Sequence, residues 1–200
     1  MSRAVLAMLV LAAGVAHADS GRLLDDDTFA VGEHGQYVLD GTLLVASPSS
    51  LPTGVSTGVA AGISRECGCN WSYGARASWS SANGASETWI VTDQELRVRA
   101  TAALRRRAGR GTISLRAAAG ATIIYEDRVH QQGMRAGLTG DALENRQFAT
   151  LPAGELEAVI GLHVAGAWLA VVSAGPELVI ESGGHPRGGF AAQLGVAWQP

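Results

Sequence analysis

The sequence predicts an all-β fold, eight antiparallel strands closed into a barrel that crosses a membrane. Three observations predict it. Eight segments alternate with period two, apolar on one face and small or polar on the other. Aromatic residues gather at the segment ends, and the connections alternate between short and long. The last segment, Gly188–Trp198, is the clearest. Phe190, Ala192, Leu194, Val196 and Trp198 share one face; Ala191, Gln193, Gly195 and Ala197 share the other. A strand packed on a soluble core alternates in the same way, but an aromatic at each end of the apolar face suits a bilayer.

The chain opens on a targeting segment. Arg3 gives a positive start, Ala4–Val15 is an apolar run too short to span a bilayer, and Ala16-His17-Ala18 is a small-x-small cleavage site. Residues 1–18 therefore read as a signal peptide, 19–35 as a polar tail and 36–200 as one barrel domain. Export argues against cytoplasmic roles and nucleic-acid partners. A net charge of -3, with no lysine and no polybasic run beyond Arg105–Arg107, agrees. No later window holds about 18 uninterrupted apolar residues, so no transmembrane helix is expected. Glycine numbers 26 and is spread through the strand segments, not gathered in a linker. Asp25-Asp26-Asp27 lacks the spacing of a calcium loop and reads as solvated tail.

The strands follow in order. Strand one, Tyr37–Ala46, sets Tyr37, Leu39, Leu43 and Val45 against Val38, Asp40, Thr42 and Leu44, and ends at a Pro/Ser turn over residues 47–52. Strand two, Thr53–Ser64, opposes Val55, Val59, Ala61 and Ile63 to Ser56, Gly58, Ala60 and Gly62. A short turn then carries Cys67 and Cys69, for which a tight local disulfide, free thiols and metal binding all stay open. Strand three, Asn70–Ser80, places Trp71, Tyr73, Ala75, Ala77 and Trp79 opposite Ser72, Gly74 and Arg76. The segment Ser81–Ser86 reads as a turn. Strand four, Thr88–Leu104, opposes Leu96, Val98, Ala100 and Ala102 to Asp93, Glu95, Arg97 and Arg99. Trp89 has the wrong parity for the lipid face, which requires a bulge near Asp93 or an inward Trp89. Strand five, Gly111–Tyr125, carries Arg116 on its polar face, and Glu126–Thr150 reads as one long irregular connection. Strand six, Gly154–Val164, turns Glu155, Glu157 and His163 inward. Strand seven, Ala167–Glu181, is apolar on both faces from Leu169 to Val172 and is interrupted by Pro176, where a bend or bulge is expected. Strand eight closes the chain.

With the start of strand one on the periplasmic side, the short connections fall on that side and the long ones opposite. Tyr37, Trp71, Tyr73, Trp168 and Trp198 then mark one interface, and Trp79, Trp89, Tyr125, Phe148 and Phe190 the other. A soluble β-sandwich, the alternative fold, would set its aromatics mid-strand in a core.

Over Tyr37–Trp198 the pattern resembles the small eight-stranded outer-membrane barrels of Gram-negative bacteria, such as the transmembrane domain of outer membrane protein A. The resemblance lies in the pattern, without a family motif. It implies a cell outer membrane location, lipid partners including lipopolysaccharide, and the barrel-assembly machinery as a partner during biogenesis. Such barrels usually end on an aromatic, whereas here Gln199-Pro200 follow Trp198.

An eight-stranded barrel has room for side chains and little open bore. The predicted luminal network is Asp40, Arg76, Asp93, Glu95, Arg97, Arg99, Arg116, Glu155, Glu157 and His163. Both signs are present, so the groups are expected to pair and fill the lumen. The expected role is structural or surface-interacting, with a small pore for hydrophilic or amphipathic solutes as one alternative and a secreted β-sandwich binding module as another. No cofactor is expected. Catalysis is not expected either: among the lipid A-modifying enzymes on this scaffold the deacylase type carries a His-x-Ser pair, whereas His163, His130 and His185 are followed at that spacing by Ala165, Gln132 and Arg187.

Overall fold

A computed structural model of the chain describes residues 37–48, 54–67, 70–85, 88–108, 110–131, 136–137 and 144–199. The expected signal peptide, the polar tail and Cys69 lie outside the described residues, as does the side chain of Cys67. Eight strands run in chain order: β1 Tyr37–Ala46, β2 Ser56–Cys67, β3 Trp71–Ala85, β4 Trp89–Ala108, β5 Gly111–His130, β6 Glu144–Ala165, β7 Trp168–Ile180 and β8 Pro186–Trp198. Each pairs antiparallel with the next. The ladder from Leu39↔Trp198 to Ala46↔Ala191 joins β1 to β8 and closes the barrel. A sandwich has two sheets with free edges, so this seam excludes it.

Strand parity turns the molecule inside out relative to a soluble protein. Glu95 is 0% exposed while Phe148 is 71% exposed. Leu39, Leu43, Val59, Ile63, Leu96, Val98, Ile113 and Leu115 all face outward and stay exposed. So wide an apolar belt is unstable in water and suited to hydrocarbon. The aromatics bound it. Trp71 and Trp79 on β3, and Phe190 and Trp198 on β8, stand eight residues apart on the outward face. Eight residues cover about 27 Å along a strand, or about 21 Å along the axis at ~40° tilt, close to the ~25 Å apolar band of such barrels. Beyond Tyr125 and Phe148 the outward face of β5 and β6 turns polar: Arg146 lies 2.8 Å from Glu144 and 4.0 Å from Asp127.

Several strands are longer than their apolar pattern. β2 continues through the expected turn to Cys67, β3 through Ser81–Ala85, and β4 to Ala108. Both ends of the expected irregular connection Glu126–Thr150 are paired strand, with rungs from Tyr125↔Phe148 to Val129↔Glu144. The cause is the change of solvent. Beyond the bilayer on either side the outward face no longer needs apolar residues, so alternation fades while backbone pairing carries on. The connections are residues 68–70, 109–110 and 166–167 at one rim, and 47–55, 86–88, 131–143 and 181–185 at the other. In outer-membrane barrels the rim with the shorter turns is the periplasmic one, and the first rim is named periplasmic by that convention.

Trp89 follows the inward alternative. β4 pairs with β5 in one unbroken register from Trp89↔His130 to Ala108↔Gly111, so no bulge lies near Asp93. Its indole meets the His130 ring edge-on, 4.7 Å between centroids. Nor does Pro176 force a bulge. The β6–β7 ladder lapses between Glu155↔Glu177 and Ala158↔Ala174 and resumes in the same register. Proline lacks the N–H for one rung, and the strand tolerates that loss without slipping. The one register shift on this pair lies between His163 and Ala165, at the β6–β7 turn.

Candidate functional site

Parity sends every second side chain of eight strands into a narrow lumen. Three tiers of charge and hydrogen bonding result. In the tier nearer the outer rim, Glu177 of β7 accepts from Arg97 Nε at 3.1 Å and from Arg99 Nη2 at 2.8 Å. Arg97 also pairs with Glu95 and donates to Ser80 Oγ at 2.7 Å. Arg99 donates to Thr122 Oγ1 at 2.7 Å and to the carbonyl of Ala121. β3, β4, β5 and β7 are thereby tied across the lumen.

The second tier is centred on Glu157 of β6. It accepts from Arg116 Nε at 2.7 Å, from Gln193 Nε2 at 2.7 Å and from Ser173 Oγ at 3.3 Å. Gln193 Oε1 in turn accepts from Thr42 Oγ1 at 2.8 Å and from Arg76, and Arg76 Nη2 lies 3.2 Å from Asp40. This tier crosses the β1–β8 seam. At the periplasmic mouth Glu66 pairs with Arg105 and accepts from Gln199 Nε2 at 3.4 Å. Small apolar clusters sit beside the tiers, Val38, Val171 and Ala197 in one and Leu44, Ala46 and Ala191 in the other.

Of the ten residues expected in the lumen, Asp40, Arg76, Glu95, Arg97, Arg99, Arg116 and Glu157 enter these tiers. Asp93 is buried on the same face, opposite Glu126. Glu155 is half-buried, opposite Glu177. His163 stands apart at the periplasmic mouth, with its ring Nε2 2.5 Å from the carbonyl oxygen of Gly166. The expected network leaves out Glu177, Glu66 and Arg105, and also Gln193, although the alternation sets Gln193 on the polar face of the last strand. Glu177 lay in the one strand whose alternation is blurred, although its parity matches Ser173 and Gly175. Glu66 and Arg105 lie just past the ends of strands two and four as the sequence bounds them, where parity means nothing.

Among the described residues no group of three or more His, Cys, Asp or Glu is arranged to hold a metal ion. A luminal cavity of about 60 Å³ remains in the periplasmic half, lined by Asp40, Ser72, Arg76, Arg105, Arg116 and Gln199 among others. It has room for a few waters and falls far short of the ~300–1,000 Å³ of a small-molecule site. Chemically the arrangement binds its own charges to one another.

No protein-family model matches the chain, and no curated protein does either. Solved structures do resemble it. Neisserial surface protein A is 13% identical with a TM-score of 0.52, the match covering 83% of this chain and 97% of that one. A major outer membrane protein from Thermus thermophilus is 4% identical with a TM-score of 0.60, covering 84% and 100%. Ail, the attachment invasion locus protein of Yersinia pestis, is 11% identical with a TM-score of 0.50, covering 84% and 100%. At such identities the likeness speaks of fold alone. Closed ring, lipid-suited exterior, charged lumen and structural neighbours agree on one description: the chain has the fold of the small eight-stranded outer-membrane β-barrels.

Proposed function

We propose that the chain is an outer-membrane protein, exported by a signal peptide over residues 1–18, whose barrel closes its own lumen with ion pairs. Its role is structural or surface-interacting, and it is not an enzyme. The observation that carries this reading is Glu177 bridging Arg97 and Arg99 while Glu157 gathers Arg116, Gln193 and Ser173. These contacts span the narrow bore at two levels. Function then falls to the exterior. β3 to β6 continue past the outer girdle as a wall carrying Asp127, Arg128, Glu144 and Arg146, a surface for lipopolysaccharide or another surface ligand. The barrel-assembly machinery is its partner in biogenesis.

Purified protein in planar bilayers is expected to be electrically silent, and a fraction recovered with the outer membrane should shift in gel mobility on boiling. Steady conductance from the unmodified protein would overturn the closed lumen. The small-pore reading draws on one observation, the cavity between the second tier and the Glu66–Arg105 pair at the mouth. It predicts conductance that changes with Arg97→Ala or Arg116→Ala.

A further inference from the structure

The outer surface is not uniform. On β3 to β6 its middle is built from small residues: Ala75, Ala100, Ala119 and Gly154 form one cross-strand row, each paired with the next. One row closer to the periplasm, Ala102 and Ala117 lie between Tyr73 and Leu156. Adjacent strands are about 4.8 Å apart, so the two alanines make a floor as wide as one hydrocarbon chain, with larger side chains as walls. In the next row toward the periplasm Leu104 pairs with Leu115, and beside them lies a separate groove of about 270 Å³ lined by Leu104, Ile113, Leu115 and Ala158, with Asn70 and Arg106 at its mouth. Its lining is almost wholly apolar.

Arg106 is exposed, faces outward and has no carboxylate partner among the described residues. It stands one outward position beyond Leu104, where a lipid phosphate lies when its tail occupies the groove. The charges at the two rims also differ. Outward at the periplasmic rim stand Arg65 and Arg106, Arg65 over the Tyr37 ring at 5.7 Å. Outward above the other girdle stand Asp127 and Glu144, with Arg146 between them.

We propose that this groove holds one anionic phospholipid of the periplasmic leaflet, a tail along Leu104, Leu115 and the alanine floor and the phosphate on Arg106. The inference rests on the membrane-barrel reading above. An unpaired guanidinium at the headgroup level attracts an anionic lipid, its stem lies along apolar surface while its head stays polar, and the groove supplies specificity of position. Above the outer girdle Arg146 is instead held by Glu144 and Asp127.

The test is lipid retention by the full chain. Protein is folded into micelles containing equal phosphatidylglycerol and phosphatidylethanolamine, and bound lipid is read by native mass spectrometry as detergent is stripped. Unmodified protein is expected to keep phosphatidylglycerol preferentially. Arg106→Gln should lower that retention roughly fivefold, the factor one arginine carries beside an anionic lipid surface. Ala158→Leu, which fills the groove, should lower retention of both lipids, and lipopolysaccharide retention should change with neither variant. Equal retention of the two lipids, indifference to both variants, or a dimer that excludes lipid would overturn the proposal. Boiled and unboiled gels run beside each sample separate the two readings. A shifted band with no lipid preference defeats the groove alone, and a missing shift in the unmodified protein defeats the membrane barrel with it.

Discussion

Glu177→Leu is expected to lower the unfolding free energy of the barrel in lipid vesicles by about 3–5 kcal/mol, the usual cost of removing one partner from a buried ion pair. Glu177 is buried and accepts from two guanidiniums that are themselves buried. Without it Arg97 keeps Glu95 and Ser80, whereas Arg99 keeps the neutral oxygens of Thr122, Ala121 and Val98. Two like charges then share one carboxylate in a medium that screens poorly. Glu177→Gln keeps an acceptor and loses the charge, so its effect should fall between. A second change tests the pairing itself: Arg99→Met added to Glu177→Leu removes the stranded cation and should restore part of the loss. Urea unfolding followed by tryptophan fluorescence gives all four values. A loss under ~1 kcal/mol for Glu177→Leu, the range of a solvated pair, would mean that water reaches this tier and that the lumen is open.

Glu177 also marks where the sequence stopped being legible. Inside the bilayer every strand must satisfy lipid on one face, so period two survives in the residue types, and Tyr37–Ala46 can be bounded to the residue. Gly188–Trp198 is traceable for the same reason. Outside the bilayer that demand lapses, and Glu126–His130 and Glu144–Thr150 looked irregular although they pair residue for residue. Parity likewise named Arg97, Arg99 and Glu157 as inward residues, because a charge on the polar face of a clean strand has one place to go. It gave no partners. Which acid meets which arginine depends on stagger between strands distant in sequence, as when Arg97 of β4 reaches Glu177 of β7. Strand seven hid Glu177 because Leu169–Val172 is apolar on both faces: Val171 packs inside with Val38 and Ala197, while Val172 faces lipid.

Gly195→Val is expected to prevent the barrel from closing, and Gly195→Ala to destabilise it by about 1–3 kcal/mol, the range for overpacking a tight interior. Gly195 faces inward on β8 at the closing seam, opposite Thr42 of β1. A Cβ there would stand 2.0 Å from the carbonyl oxygen of Gly41 and 2.6 Å from Thr42 Cα. Both are backbone atoms, so no rotamer change relieves the contact. Strands bent tightly enough to close a ring of eight bring their inner faces together, and glycine is the residue that permits it. Gly175 repeats the geometry on β7, with the Leu156 carbonyl oxygen 1.9 Å from the added carbon. This close approach gives a structural reason for glycine within the strands, which composition alone left unexplained. Gly188 is the control. It lies on the same strand as Gly195 with nothing within 4 Å, so Gly188→Ala should fold with an unchanged midpoint. The readouts are the fraction of protein that gains the heat-sensitive mobility shift and the urea midpoint of that fraction. Should Gly195→Ala match Gly188→Ala in both, the strands do not approach as closely as the seam requires. A loss at Gly195 alone places closure of the barrel on the backbone contact between β1 and β8.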